Sequence, residues 1–225
     1  MIDQLSSSSP EAGQARHRTR SVRLPQLLAA AALAAAALGA GAGSALAYGT
    51  PLACTSPTLS TVFAPWGDTA SYFQVSNGGF ESGTTGWALT GAATIVGTNE
   101  PWKVAGASNS HSLSLSGNGI AESRTFCVSR GQDVIRLFVA SPHVTGAILH
   151  VDTTVVNPDN GYIGTSAFDV NGDPNAPAWA PTIALKIPAL FNGSGTENLT
   201  LRFSLRGSSA NWKIDDVFVD PFKSW

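Results

Sequence analysis

The stretch that decides the fold is Ala210-Asn211-Trp212-Lys213-Ile214-Asp215-Asp216-Val217-Phe218-Val219-Asp220-Pro221-Phe222. Its apolar residues begin in one phase, Trp212 and Ile214, and resume in the other, Val217 and Val219. Side chains alternate faces along a strand, so both sets share a face only if one extra residue lies between them. The slip falls on Asp215-Asp216 and predicts a β-bulge, which would re-aim a carboxylate. Two adjacent acids in an apolar strand are costly to bury unless something pairs with them.

Working outward, the preceding segment has the clearest alternation in the chain. Leu199, Leu201, Phe203 and Leu205 point one way, and Thr200, Arg202, Ser204 and Arg206 the other. Similar short runs precede it: Leu113 and Leu115; Phe126 and Val128; Ile135, Leu137 and Val139; Leu149, Val151 and Val155; Ile183, Leu185 and Ile187. A first strand is expected at Tyr72–Val75, a turn at Asn77-Gly78-Gly79, and a second strand from Trp87 towards Val96. Asn157 to Pro181 reads as a long irregular section, with Asn171-Gly172 as a hairpin turn. Period-two patterning with frequent turn signals predicts an all-β antiparallel sandwich, and eight or nine strands suit a jelly roll.

The early Asn77-Gly78-Gly79-Phe80-Glu81, followed by Gly86-Trp87, and the late Trp212-Lys-Ile-Asp-Asp-Val-Phe-Val-Asp-Pro221 together resemble the galactose-binding-like jelly rolls. That group includes many carbohydrate-binding modules. The resemblance spans roughly residues 72–222, and Phe126–Val139 looks like the strand-turn-strand those modules carry mid-domain. With Phe63-Ala-Pro-Trp-Gly-Asp68 and Gly97-Thr-Asn-Glu-Pro-Trp102, it also resembles a set of secreted actinobacterial proteins. The resemblance implies a structural calcium ion where Glu81 meets Asp215, with Asp216 as the competing ligand. The other reading pairs Glu81 with Arg or Lys and bonds the Asp pair to turn amides.

The N-terminus points to export. Arg16, Arg18, Arg20 and Arg23 precede an Ala/Leu run from Leu27 to Leu38, and Ala45-Leu46-Ala47 is a small-x-small cleavage site. This is a signal-peptide pattern over residues 1–47, followed by an arm at 48–71 and the sandwich at 72–225; an uncleaved anchor is the alternative. Thirteen basic residues less those four arginines, and fifteen acidic residues less Asp3 and Glu11, leave a mature balance of −4. A mildly acidic chain with no basic run argues against nucleic acid, and no further apolar segment suggests a membrane partner once the signal is cleaved. Cys54 and Cys127 are the only cysteines; in an exported chain one disulfide is expected, with two free thiols as the alternative. In the chain-entropy account it contributes about 4 kcal/mol.

No Gly-x-Ser-x-Gly elbow, His-Glu-x-x-His or His/Cys cluster is present, and no enzyme is expected. Sugar binding needs aromatic faces for pyranose rings and polar partners beside them. Trp102 and Trp179 are the foremost candidates because they fall in loops, with Trp66 and Tyr162 behind them and Asn99 and Glu100 as polar partners. Trp87 and Trp212 belong to strands and are expected in the core. The expected function is a secreted, non-catalytic module that binds carbohydrate, a cell-wall or environmental polysaccharide. The alternatives are a cell-surface structural protein with a protein partner or, less favoured, a hydrolase.

Overall fold

The computed structural model describes residues 54, 57–129, 134–175, 178–187, 195–207 and 210–220. The expected signal segment, residues 1–47, lies outside these residues, as does the end of the chain from Pro221.

Among the described residues thirteen strands, numbered in chain order, form two antiparallel sheets. The first holds β1 (Phe73–Gln74), β3 (Ala93–Val96), β4 (Ser112–Leu115), β7 (Val134–Ala140), β10 (Ala180–Pro181), β11 (Leu185–Lys186) and β13 (Trp212–Asp220). The second holds β2 (Trp87–Thr90), β5 (Ile120–Ser123), β6 (Phe126–Ser129), β8 (Ala147–Val156), β9 (Ile163–Asn171) and β12 (Thr196–Gly207). The first sheet runs β10-β7-β13-β4-β3, with β11 also beside β7 and β1 beside β13. The second runs β2-β5-β12-β8-β9, with β6 also beside β12. The inward residues of both sheets form one core, including Trp87, Leu113, Leu137, Leu149, Leu201, Phe203 and Trp212. This is the antiparallel sandwich that the alternation predicts.

The phase slip is real. The pairing of β13 with β7 shifts register between Asp215 and Phe218, and Asp216 takes a left-handed backbone, φ 47°. Trp212, Ile214, Val217 and Val219 all reach the core. The early glycines explain why the bulge has room. A Cβ on Gly78 would lie 2.7 Å from the Val217 carbonyl oxygen, and one on Gly79 2.6 Å from Asp216 Oδ1. The Val217 amide donates to the Gly78 carbonyl, and the Val75 amide donates to that of Val217. The two motifs, far apart in sequence, are therefore one contact.

Four readings differ from the structure, the plainest being the strand expected over Ile183, Leu185 and Ile187, of which only Leu185–Lys186 pairs while Ile183 is exposed. The strand expected from Trp87 to Val96 breaks at Gly91, φ 60°; β2 joins the second sheet and β3 the first. The section from Asn157 contains β9, an edge strand whose inward positions, Gly164, Ser166, Phe168 and Val170, open with two small residues and so show little apolar period. Asn171 ends that strand, and the Gly172 amide donates to the Ala147 carbonyl, so Asn171-Gly172 makes no hairpin.

Cys54 and Cys127 form a disulfide with Cα atoms 5.2 Å apart. Cys127 pairs in register with Asn198 of β12, whose side chain points outward from the second sheet. The arm then passes to the other side of the sandwich. Ser60 bridges Tyr72 beside β1, and a 3₁₀ turn at Ala64–Trp66 lies over the outer face of the first sheet.

Candidate functional site

Three of the loop tryptophans gather on that outer face. Phe138 and Phe218 point outward from β7 and β13 and form a second apolar cluster with Phe63 and Tyr72, against which Trp66 and Trp179 pack. Phe63 stacks on Phe138 at 5.3 Å between centroids. Trp66 stands edge-on to Phe138 at 5.2 Å, and Trp102 stands edge-on to Trp66 at 4.8 Å. Only Trp102 is substantially open, at 46 % exposure. An ion pair locks the arm in place: Arg136 Nη1 donates to Asp68 Oδ2 at 2.7 Å, and its guanidinium lies over the Phe63 ring. Partial burial pushes the Asp68 carboxyl up, but hydrogen bonds from the Tyr72 hydroxyl, the Ala70 amide and Arg136 outweigh it and hold it below the usual carboxylate range. Tyr162 is elsewhere, 64 % exposed at the β8–β9 turn.

Glu100 and Asn99 lie beneath this region, not on it. Glu100 is fully buried, and its carboxylate takes the amides of Trp102 and Val104; its work is to shape the loop that carries Trp102. The Asn99 side-chain amide donates to the Glu100 carbonyl. The Glu100 amide in turn donates to Asp215 Oδ2 at 3.1 Å.

The bulge therefore sits in a buried acidic knot. Asp215 also accepts from the Asp216 amide, and Asp216 Oδ1 accepts from Gln74 Nε2 and Asn109 Nδ2. Burial, then repulsion from Asp216, pushes the Asp215 carboxyl up to about 9. Burial, then the nearby Glu100, pushes Asp216 up to about 7, with Glu81 adding to the repulsion. Glu81 binds the amides of Ser110 and His111 and the His111 ring, and pairs with neither Arg nor Lys among the described residues. These residues fit a calcium ion in part. Asp216 Oδ2 is buried and accepts no well-formed hydrogen bond among the described residues, although the Ala105 amide and the Glu100 carboxyl lie near the Asp216 carboxyl, and no cation bonds to Asp215, Asp216 or Glu100 among those residues. Yet no three His, Cys, Asp or Glu side chains among those residues converge as a ligand set. Backbone carbonyls would have to supply much of the six to eight oxygens that calcium takes.

The outer face of the second sheet is different in kind. It holds an open groove of about 550 Å³. Cross-strand register arranges its floor in rows. Arg202 of β12 stands between Glu122 of β5 and Asp152 of β8, and its guanidinium donates to Asp152 at 3.1 Å. One row over, Thr200, Thr154 and Thr165 lie side by side across β12, β8 and β9, with the Thr125 hydroxyl 3.1 Å from that of Thr200. No aromatic side chain lines the groove among the described residues. Beside it on the same face, His150 is buried between two carboxylates, Nδ1 on Asp169 and Nε2 on Asp152 at 2.9 Å. His143 has a separate partner, the Pro174 carbonyl.

The groove residues were not candidates on sequence. Their only signal was the outward polar phase of strands whose inward phase is plain: Thr200 and Arg202 between leucines, Asp152 and Thr154 between valines.

No protein family matches the chain, and no curated protein does. Solved structures show a loose likeness. A family 61 carbohydrate-binding module in complex with β-1,4-galactotriose aligns at TM-score 0.41 and 16 % identity, over 65 % of this chain and 96 % of that one. The C-terminal family 22 carbohydrate-binding module of a Clostridium thermocellum xylanase aligns at 0.40 and 14 %, over 67 % and 99 %. The enzymatically active domain of a bacteriophage CBA120 tailspike protein aligns at 0.44 and 17 %, over 65 % of this chain and 21 % of that one. Likenesses this distant say nothing of this chain's ligand.

Proposed function

We propose that this protein is an exported, non-catalytic module that binds carbohydrate in the groove on the outer face of its second sheet. One observation carries the reading: a sheet face, uncovered among the described residues, whose rows present hydroxyls, carboxylates and a guanidinium at strand spacing. A sugar chain offers a dense set of hydroxyls that both donate and accept, and Asp, Arg and Thr side chains meet them in both senses. Bidentate groups such as Asp152 and Arg202 add geometric specificity. Asp152 is committed to Arg202 and His150, an arrangement suited to holding a ligand rather than to carrying a proton through a reaction.

Export is supported by the signal-like N-terminus and by the disulfide, which is a feature of oxidising compartments. A structural calcium ion belongs to the same proposal, at Asp216 with Asp215 and Glu81, supported by the buried Asp216 oxygen that accepts no well-formed hydrogen bond among the described residues. It would relieve the repulsion in the buried knot and fix the bulge. Thermal melts in calcium and in chelator check it; a higher midpoint with calcium is expected, and identical melts sink the ion.

The test of binding is retardation of residues 48–225 in gels containing soluble polysaccharides and cell-wall fractions. Arg202→Ala should abolish the retardation that one glycan causes. If Trp102→Ala abolishes it and Arg202→Ala does not, the site is on the aromatic face instead. If no glycan retards the protein, the surface-protein alternative takes its place.

A further inference from the structure

The charges of the groove point to a class of glycan, an inference that rests on the carbohydrate reading above. Among the described residues lining the groove, the charged ones are Glu122, Asp152 and Arg202. Arg202 is the lone cation, and it is spoken for: Asp152 holds it on one side, and Glu122 is its register neighbour on the other. Beyond the lining, Asp169 adds a further carboxylate beside His150 on the same face. Arg206 lies exposed at the far end of β12, and Arg124 is exposed beyond the end of β5; neither forms an ion pair among the described residues. The Glu122 side chain has no hydrogen bond or ion pair among the described residues. The lining therefore offers an anion with nothing on it and a single cation already taken, while the free guanidinium of Arg124 lies beyond the lining, beside Glu122 in the neighbouring hollow.

A uronate polymer would bring carboxylates against Glu122 and Asp152, where like charges repel and the lining itself holds no free guanidinium. A neutral glycan would use the threonine rows and leave Glu122 without a charged partner. A glycan with free amines would use both. We propose that the groove prefers polymers of unacetylated hexosamines, with Glu122 taking the ammonium group while the threonine hydroxyls and Asp152 take the ring hydroxyls. Glu122 is then a specificity residue, separate from the groups that hold any sugar.

The experiment is calorimetric titration of the protein with four tetrasaccharides at low salt and a pH that keeps the amine protonated: glucosamine, N-acetylglucosamine, glucose in β-1,4 linkage, and galacturonate. The expected order is glucosamine tightest and galacturonate weakest. Glu122→Gln should weaken the glucosamine tetramer about fivefold to tenfold, the weight of one charge-assisted hydrogen bond on a half-exposed face, and weaken the glucose tetramer by less. Asp173→Asn removes an exposed acid outside the groove and should change neither. Equal affinity for glucose and glucosamine with Glu122→Gln silent overturns the preference and leaves the carbohydrate reading standing. An equal loss in Asp173→Asn also overturns it, since bulk charge would then be the cause. Failure of all four ligands overturns the carbohydrate reading itself.

Discussion

The two outer faces of this sandwich are built from opposite materials and treated in opposite ways. The first sheet turns Phe138 and Phe218 outward, and the chain covers them with its own arm, setting Phe63, Trp66 and Tyr72 on top and closing the edge with Trp102 and Trp179. The second sheet turns threonines, acids and an arginine outward and leaves them open. An apolar face must be buried against something, and here the arm is the partner; a polar face can stay in water and wait for a ligand. Aromatic residues in loops are therefore an ambiguous sign.

The contrast can be broken most forcefully at Phe63. It is fully buried against Phe138, Tyr72 and Phe218, so Phe63→Ala should cost about 3–5 kcal/mol in denaturant unfolding while leaving glycan affinity near the original in protein that remains folded. Loss of binding at undiminished stability would reverse the roles of the two faces. Arg202→Ala is the mirror experiment. It should lower glycan affinity at least tenfold while its half-exposed ion pair costs no more than about 1 kcal/mol of stability. Trp102→Ala should be milder on both counts. It loses edge contacts worth about 1 kcal/mol, and binding should stay within twofold; a large loss of binding would promote Trp102 from cover to ligand platform.

The smallest effect is a pH dependence of the arm. The folded carboxyl of Asp68 lies below its ordinary value of about 4, so its stabilising contribution is present above that value. It is lost as pH falls through the lower folded value, where protonation weakens the bond to Arg136. Asp68→Asn should flatten the acid limb of a stability profile below about pH 4 and leave the neutral limb parallel to the original. An unchanged acid limb would mean that the arm is held by its aromatic packing alone.

What was legible in the sequence was whatever the chain writes locally. The bulge at Asp215-Asp216 could be read because both its flanks are apolar and their phases disagree. The core positions of Trp87 and Trp212 followed from their strands. β9 was hidden because Gly164 and Ser166 carry no apolar signal, and the break between β2 and β3 because one glycine redirects the chain without disturbing the apolar pattern. The groove could not be read at all. Glu122, Asp152 and Arg202 come from three separate strands and form a row only through strand order and register. The tryptophans were conspicuous, but their destination depended on which sheet the arm would cross.

The strap has a practical corollary for orientation. The described arm begins at Cys54, bonded to Cys127 beside Asn198, and Asn198 lines the groove. The last described residue, Asp220, pairs with Val134 in the opposite sheet. A bead or chip coupled shortly before Cys54 would hold the protein by its groove, while one coupled after Asp220 would hold it by its back. Immobilised in these two ways, the same molecule should report two apparent affinities for a long glycan and a single one for a short oligosaccharide.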